Sequence, residues 1–266
     1  MSFQSSISGL SISAQKLDLI GNNVANASTV GFKETIGRYT DLYGAATVSG
    51  QAGMGGMSMV AVQEFSQGGI NPTGNPLDMA INGKGFFQVK SSDGSLAYTR
   101  NGQFHLDKDG YVVTNNGEQL MGTSGPVKID KTVWADFRID ASGVISGTDG
   151  KTRGPSVESP VGSGVFVPGP LIYQNIATIG LSDFRNPQGL ESLGNNLWQA
   201  SLASGTVISG TPAAKSMGLL QSGAVEGSTV DLNNDLVNMI ITQREYQSNA
   251  QGIKTQDEMM QRLMNM

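Results

Sequence analysis

The chain contains no cysteine among its 266 residues. That excludes disulfides, thiolate metal sites and cysteine nucleophiles together, and leaves the protein indifferent to redox compartment. Histidine occurs once, at His105. One histidine excludes H-E-x-x-H and any His-rich zinc site; in the alternating run Phe104-His105-Leu106 it is expected at the surface. Charge is scarce: Asp, Glu, Lys and Arg make up 15% of the chain, against roughly 25% in ordinary globular domains. The net charge is -5 and no Lys/Arg run occurs, which argues against nucleic acid, since phosphate binding needs a basic patch. No apolar run approaches the roughly 18 residues of a membrane span. The opening "MSFQSSISGL" lacks the charged n-region and apolar h-region of a signal peptide. The expectation is a protein that is cytosolic or exported without a cleaved signal.

The usual sites of chemistry are also missing. There is no G-x-S-x-G elbow and no phosphate-binding G-x-x-x-x-G-K-[ST] loop. "DKDG" (107–110) fails as a calcium loop: with Gly110 at the sixth position, His105 and Asn116 fall where carboxylates belong. "NGKG" (82–85) is not G-x-G-x-x-G and no helix pattern follows it. Asp107 and Asp109 sit in a turn, where Asp is expected for backbone reasons. No catalytic residue, cofactor, metal or small-molecule substrate is therefore expected. The alternative of another class is a β-rich carbohydrate-binding module or glycosidase, whose two carboxylates need not be close in the chain. Aromatics at 6% are thin for sugar stacking.

What the chain does have is a heptad at each end. Phe3, Ile7, Leu10, Ala14, Leu17, Gly21 and Val24 follow 4,3 spacing, the pattern of a helix with an apolar stripe. Leu232, Leu236, Met239, Gln243, Tyr246, Ala250, Ile253, Asp257, Met260 and Met264 do the same, and Ile240 and Ile241 widen the stripe. Ser228, Thr229 and Asp231 are candidate N-caps for a helix from about 231 to the end. Glu258 and Arg262 are spaced to pair at i,i+4. Each stripe could pack on an ordinary core. Two long terminal stripes most simply pair with each other and with neighbouring subunits. Unpaired, they cannot offset their ordering entropy, so the ends are expected to lack order in a dilute monomer.

Between the helices the pattern turns to period 2. Asp93-Gly94, Asn101-Gly102, Asp109-Gly110 and Asn116-Gly117 each read as a hairpin turn, so 86–122 is expected to be an antiparallel meander. "FRIDASGVISGTDG" continues it and "YQNIATIGLSDF" adds a strand. Residues 147–170, rich in Gly, Pro and Ser, read as a long loop. So does "GAATVSGQAGMGGMSM" (44–59), whose Met54, Met57 and Met59 form either a flexible contact surface or tucked loop residues. The fold class is α+β: long N- and C-terminal helices pairing as a coiled-coil-like domain, with an antiparallel β-rich middle. The divisions are 1–30, an N-terminal helix; 31–65, a joint with a Gly/Met-rich loop; 66–222, the β-rich domain; and 223–266, the C-terminal helix.

Five stretches together resemble the axial proteins of the bacterial flagellum, the hook and rod subunits. They are "GNNVANASTVGFK" (21–33), "NPLDMAINGKGFFQV" (75–89), "YTRNGQFHLDKDGYVV" (98–113), "LSDFRNPQGLESLGNNLW" (181–198) and "SGAVEGSTVDLNNDLVNMIITQREYQSNAQGIKTQDEMM" (222–260). The ends are most similar to hook proteins. The middle, with only about 60 residues between Gly122 and Leu181, is similar to the compact middle of rod proteins. The resemblance implies a structural subunit that leaves through the flagellar type III export channel and polymerises helically into a hollow, torque-transmitting tube. Its implied partners are itself, neighbouring axial proteins, the export machinery and an assembly cap; its implied place is the hook or basal body. The stripe residues Phe3, Ile7, Leu10, Ala14, Leu17, Val24, Leu232, Leu236, Met239, Ile240, Tyr246, Ala250, Ile253 and Met260 would then form the assembly interface. Asn22, Asn23, Asn26, Gly31, Phe32 and Lys33 would form the joint between the helical wall and the β domain. There Asn26 is a plausible left-handed helix-ending residue, Gly31 permits a sharp turn, Phe32 anchors the chain near the helix, and Lys33 sits at the rim.

Overall fold

A computed structural model describes residues 3–41, 57–91, 93–130, 134, 136–153, 157–158, 166–167, 171–214 and 217–265. The chain forms two compact units. One comprises Met1–Thr29, Lys33–Ser66 and Ser228–Met266; the other comprises Val30–Phe32 and Gln67–Gly227. The chain therefore passes from one unit to the other four times, at 29/30, 32/33, 66/67 and 227/228.

The first unit holds helix α1 (Phe3–Ala25), helix α2 (Leu232–Met264) and a strand pair, β1 (Thr35–Asp41) and β2 (Met57–Gln63). Both heptad segments are thus helical over their described residues. Asp231 caps α2, its carboxylate accepting from the backbone N–H of Asn233 and Asn234, which satisfies two of the orphan donors of a helix start. No ion pair joins Glu258 to Arg262 among the described residues. The strands β1 and β2 pair in antiparallel register from Thr35↔Gln63 to Asp41↔Met57, where the sequence had suggested only a joint and a loop. Met59 therefore lies on a strand, and its Sδ would be 2.7 Å from a Cβ placed on Gly37. Met54 falls outside the described residues, as does the side chain of Met57.

The second unit is built of strands, with one 3-10 turn at Pro187–Gly189. Its strands are β3 (Ile70–Pro72), β4 (Met79–Asn82), β5 (Phe86–Lys90), β6 (Leu96–Thr99), β7 (Phe104–Leu106), β8 (Val112–Thr114), β9 (Gln119–Gly122), β10 (Gly125–Pro126), β11 (Asp136–Ile139), β12 (Val144–Thr148), β13 (Val157–Glu158), β14 (Phe166–Val167), β15 (Gln174–Thr178), β16 (Leu181–Asp183), β17 (Glu191–Gly194), β18 (Leu197–Gln199), β19 (Ile208–Gly210), β20 (Leu219–Ser222) and β21 (Ala224–Glu226). The main sheet has the order β17-β18-β6-β5-β9-β8-β7, with β16 also on β5. β5 is its centre. Alternate side chains point to opposite faces, and both faces of β5 are covered. Phe86 meets Phe184 and Trp198 edge-on, with centroids 5.8 and 5.9 Å away. Phe87 meets Phe104 at 5.3 Å in the main cluster with Val89, Leu120, Ile129 and Ile179.

Three of the four expected hairpin turns form. Gly94, Gly110 and Gly117 all have positive φ, joining β5 to β6, β7 to β8 and β8 to β9. Asn101-Gly102 does not turn a hairpin: β6 pairs with β5 and β18, and β7 pairs with β8. Gly102 has a different task. Its carbonyl accepts the Met79 N–H at 2.9 Å, and a Cβ there would lie 1.6 Å from the Met79 carbonyl oxygen. The expected long loop 147–170 carries the end of β12 and a short β13–β14 ladder. β11, β12 and β15 form a separate three-stranded sheet. Late strands close the unit, β20 pairing with β4 and β21 with β3.

Candidate assembly interface

The two terminal helices meet along a seam that the heptad stripes did not predict. Among the described side chains, those buried on α1 are Ser6, Ser13, Ile20 and Asn23, and those buried on α2 are Asp235 and Thr242. The period of seven is the expected one, but the register is different. Small residues explain why. A Cβ on Gly9 would be 2.9 Å from Asn249 Nδ2, and one on Gly252 would be 3.7 Å from Ser6 Oγ, so the backbones approach closely. Ser13 Oγ donates back to the Gly9 carbonyl at 2.9 Å, which satisfies the hydroxyl inside its own helix. Lys16 and Glu245 pair across the seam at 3.9 Å, a partly exposed pair worth under about 1 kcal/mol.

Most large apolar side chains of α2 are left exposed. Leu232, Leu236, Ile240, Tyr246 and Met260 are exposed, as are Val237, Ile241, Met259, Leu263 and Met264. On α1, Ile7 is exposed, while Leu10, Ala14, Leu17 and Val24 are half-buried. Met239, Ala250 and Ile253 are half-buried on α2. The Phe3 side chain lies outside the described residues. Single exposed apolar residues are ordinary, but a continuous face of them along a helix marks a binding surface.

The joint is built from hydrogen bonds. Asn23 is 2% exposed. Its Nδ2 donates to the Thr35 carbonyl at 3.0 Å, and its Oδ1 accepts the Thr35 N–H at 3.1 Å. This two-bond clamp holds the start of β1 on the last turn of α1. Asn26 does not take the left-handed conformation; it is absent from the non-glycine residues of positive φ, which are Asn195, Asn196 and Ala213. Instead its side chain donates to the exposed Asn22's carbonyl at 2.9 Å, which ends the helix without backbone strain. The left-handed residue is Gly31, at φ 71°. Its N–H donates to the Glu226 carbonyl, and a Cβ would strike the backbone of Arg100 and Asn101. Phe32 is buried and belongs to the β unit. Lys33 is not at a rim: it is 1% exposed, and its Nζ donates to the Ser66 carbonyl.

Two further polar groups lie outside what the stripes and turns signalled. In the β unit Arg100 Nη1 meets Glu226 Oε2 at 3.1 Å, both side chains buried. Arg100 Nη2 donates to the Gly83 carbonyl, and Glu226 Oε1 accepts the Gly68 N–H. Burial pulls the Arg100 guanidinium below its ordinary value, against the opposing pull of Glu226. In the helical unit burial pushes the Asp235 carboxyl up, opposed by a hydrogen bond from Asn23. Burial also raises Glu34, reinforced by the carboxylates of Asp235, Glu64 and Asp231. Both groups bind protons more tightly folded than unfolded. Their contribution to stability is full below the ordinary values of 3.8 for Asp235 and 4.5 for Glu34, and is lost as pH rises through the raised values. The helical circular-dichroism signal is therefore expected to melt at higher temperature near pH 5 than near pH 7. A melt that weakens steadily on acidification would contradict this.

The chain is similar to proteins of one kind. Three family models match segments of it: the flagellar basal body rod protein over residues 3–33, the flagellar hook protein FlgE/F/G D1 domain over 80–147, and the flagellar basal body rod FlgEFG protein C-terminal region over 221–266. The flagellar basal-body rod protein FlgG of Buchnera aphidicola subsp. Schizaphis graminum is 37% identical over 96% of this chain and 95% of its own. FlgG of Bacillus subtilis is 36% identical over 100% and 98%. The flagellar hook protein FlgE of Salmonella typhimurium is 28% identical over 406 aligned positions, covering all of both chains.

Proposed function

Because the chain belongs to the family of flagellar rod and hook proteins, and is on that ground a non-enzymatic structural subunit of the flagellar axis, we propose that it polymerises helically into a hollow, torque-transmitting tube as a hook-type subunit lacking a large outer domain. The exposed apolar face of α2 carries this reading. Helix α2 buries Asp235 and Thr242 and leaves Leu232, Leu236, Ile240, Tyr246 and Met260 for a neighbour. In this reading residues 1–30 and 223–266 form the axial core through the stripe residues, 31–65 the joint, and 66–222 the outer β domain. It extends, on family likeness alone, to passage through the export machinery and contact with an assembly cap.

Two counts bear on hook against rod. A 28% identity over 406 positions is about 114 identities, against about 101 for 37% of 272. At least 140 of the 406 positions, the excess over 266 residues, have no counterpart here. The larger number of identities supports the hook-type reading. The second reading, a rod subunit, is favoured by the near-collinear match to FlgG over its whole length. Complementation separates them: the gene is expected to restore a strain lacking its hook subunit, and restoration of only a rod-deficient strain would establish the second reading.

Leu236→Asp tests assembly itself. Leu236 is 42% exposed, so the substitution is expected to cost the monomer about 1–2 kcal/mol, from partial loss of apolar burial and of helix propensity. In a tube it would bury an unpaired charge at a cost of several kcal/mol. The variant should remain a folded monomer by circular dichroism and fail to sediment as polymer. Normal polymer from this variant would contradict the proposed face.

A further inference from the structure

The helical unit contains a cavity of about 160 Å³ lined by the end of α1, the start of β1 and the first turns of α2. Its walls are of two kinds. Leu19, Ile20 and Ile36 are apolar, while Glu34 and Asp235 are carboxylates. Asp235 is 4% exposed, and its Oδ2 has no hydrogen-bond partner. A buried carboxylate oxygen left unpaired is costly, and natural structures seldom keep one without a use.

None of the described ion pairs answers these acids. The described ion pairs of the protein are Lys16–Glu245 and Arg100–Glu226, and neither reaches Glu34, Glu64, Asp231 or Asp235. Lys16 also lines the cavity, but its ammonium is turned to Glu245. The other polar groups there, Tyr39, Asn23 and Asn238, are neutral; burial and Glu245 hold the Tyr39 hydroxyl protonated to higher pH than usual. No group of three or more metal-ligating side chains occurs among the described residues, so a bare metal ion fits less well than an organic cation that brings its own hydrogen-bond donors.

We propose that this cavity receives a guanidinium or ammonium group presented by a second copy of the chain. The apolar wall suits the methylene stem of such a side chain, and the paired carboxylates suit its head. The complementary groups are present on the same unit: Arg244, Lys254 and Arg262 are exposed on α2 and belong to none of the described ion pairs. The cavity is thus the acidic socket of a polar contact between copies, beside the apolar face. This inference rests on the assembly reading above.

Asp235→Asn separates the socket from a mere strut. It removes the charge and keeps the shape, and its amide oxygen still accepts from Asn23. The variant monomer is expected to melt higher than wild type, because an uncompensated buried charge is gone. Its critical concentration for polymerisation is expected to rise by about tenfold or more, because the incoming cation loses its partner. One of Arg244→Gln, Lys254→Gln and Arg262→Gln should reproduce the polymerisation defect with unchanged monomer melting. On the full-length monomer, arginine amide should raise the melting temperature of wild type and not of Asp235→Asn. Polymerisation of Asp235→Asn at the wild-type concentration overturns the proposal, and so does a monomer that melts lower. If wild type fails to polymerise yet arginine amide still protects it through Asp235, the tube reading falls and the cation socket stands.

Discussion

Gly102→Ala is expected to unfold the β unit. The added Cβ would lie 1.6 Å from the Met79 carbonyl oxygen and 2.7 Å from its carbonyl carbon. These are backbone atoms, so no side chain can rotate away. Relief requires separating the two segments, which breaks the Met79 N–H bond to the Gly102 carbonyl. It also shifts Met79, whose side chain is fully buried at the head of β4. The cost should exceed about 4 kcal/mol, a large part of the 5–15 kcal/mol or so that holds a domain together. Gly117→Ala is the control: it has positive φ but nothing within 4 Å, so only backbone strain of about 1–2 kcal/mol applies. Both tryptophans, Trp134 and Trp198, lie in the β unit, and their fluorescence reports its denaturant midpoint. A Gly102→Ala midpoint no lower than that of Gly117→Ala would refute the close-approach argument.

Glu226→Leu is expected to cost about 3–5 kcal/mol, the penalty for leaving a buried charge without its partner. Arg100 would keep its guanidinium 5% exposed, with the Gly83 carbonyl, the face of Phe86 at 5.3 Å and the charge of Asp183 still acting on it. Its Nε already lacks a partner, so it has little left to lose to. The Gly68 N–H would be orphaned as well. Glu245→Gln, which breaks the partly exposed Lys16 pair, should cost under about 1 kcal/mol by comparison. The same denaturant titration measures the first variant and the helical circular-dichroism signal the second. Equal effects would mean that burial does not set the worth of these pairs.

The sequence showed the helices, their approximate ends and the β-rich middle because those features depend on local periodicity. It showed the glycine turns at 94, 110 and 117 for the same reason. The seam was not legible, because apolar spacing reveals where large side chains lie and not which side a helix turns inward. Here Ser6, Gly9, Ser13 and Gly252 permit close backbone approach, and small residues give no hydrophobic signal. Asn101-Gly102 misled because the same dipeptide serves a turn and a close contact, and only the distant Met79 decides between them. Lys33 and the Arg100–Glu226 pair were missed because charge predicts exposure unless a partner far along the chain is known; residues 100 and 226 are separated by most of the β unit. The strand pair β1–β2 was hidden by the Gly-rich stretch between its halves.

The four passages of the chain between the two units have a mechanical consequence. A single linking segment is a swivel: either part can spin about it and leave the other behind. Several segments cannot do this without winding around one another, and each added turn shortens and tightens them. Three of these passages lie next to residues fixed by hydrogen bonds, at Gly31, Lys33 and Gly227. Connectivity alone therefore rules out free spinning of one unit about a single link, whatever the stiffness of any individual hinge.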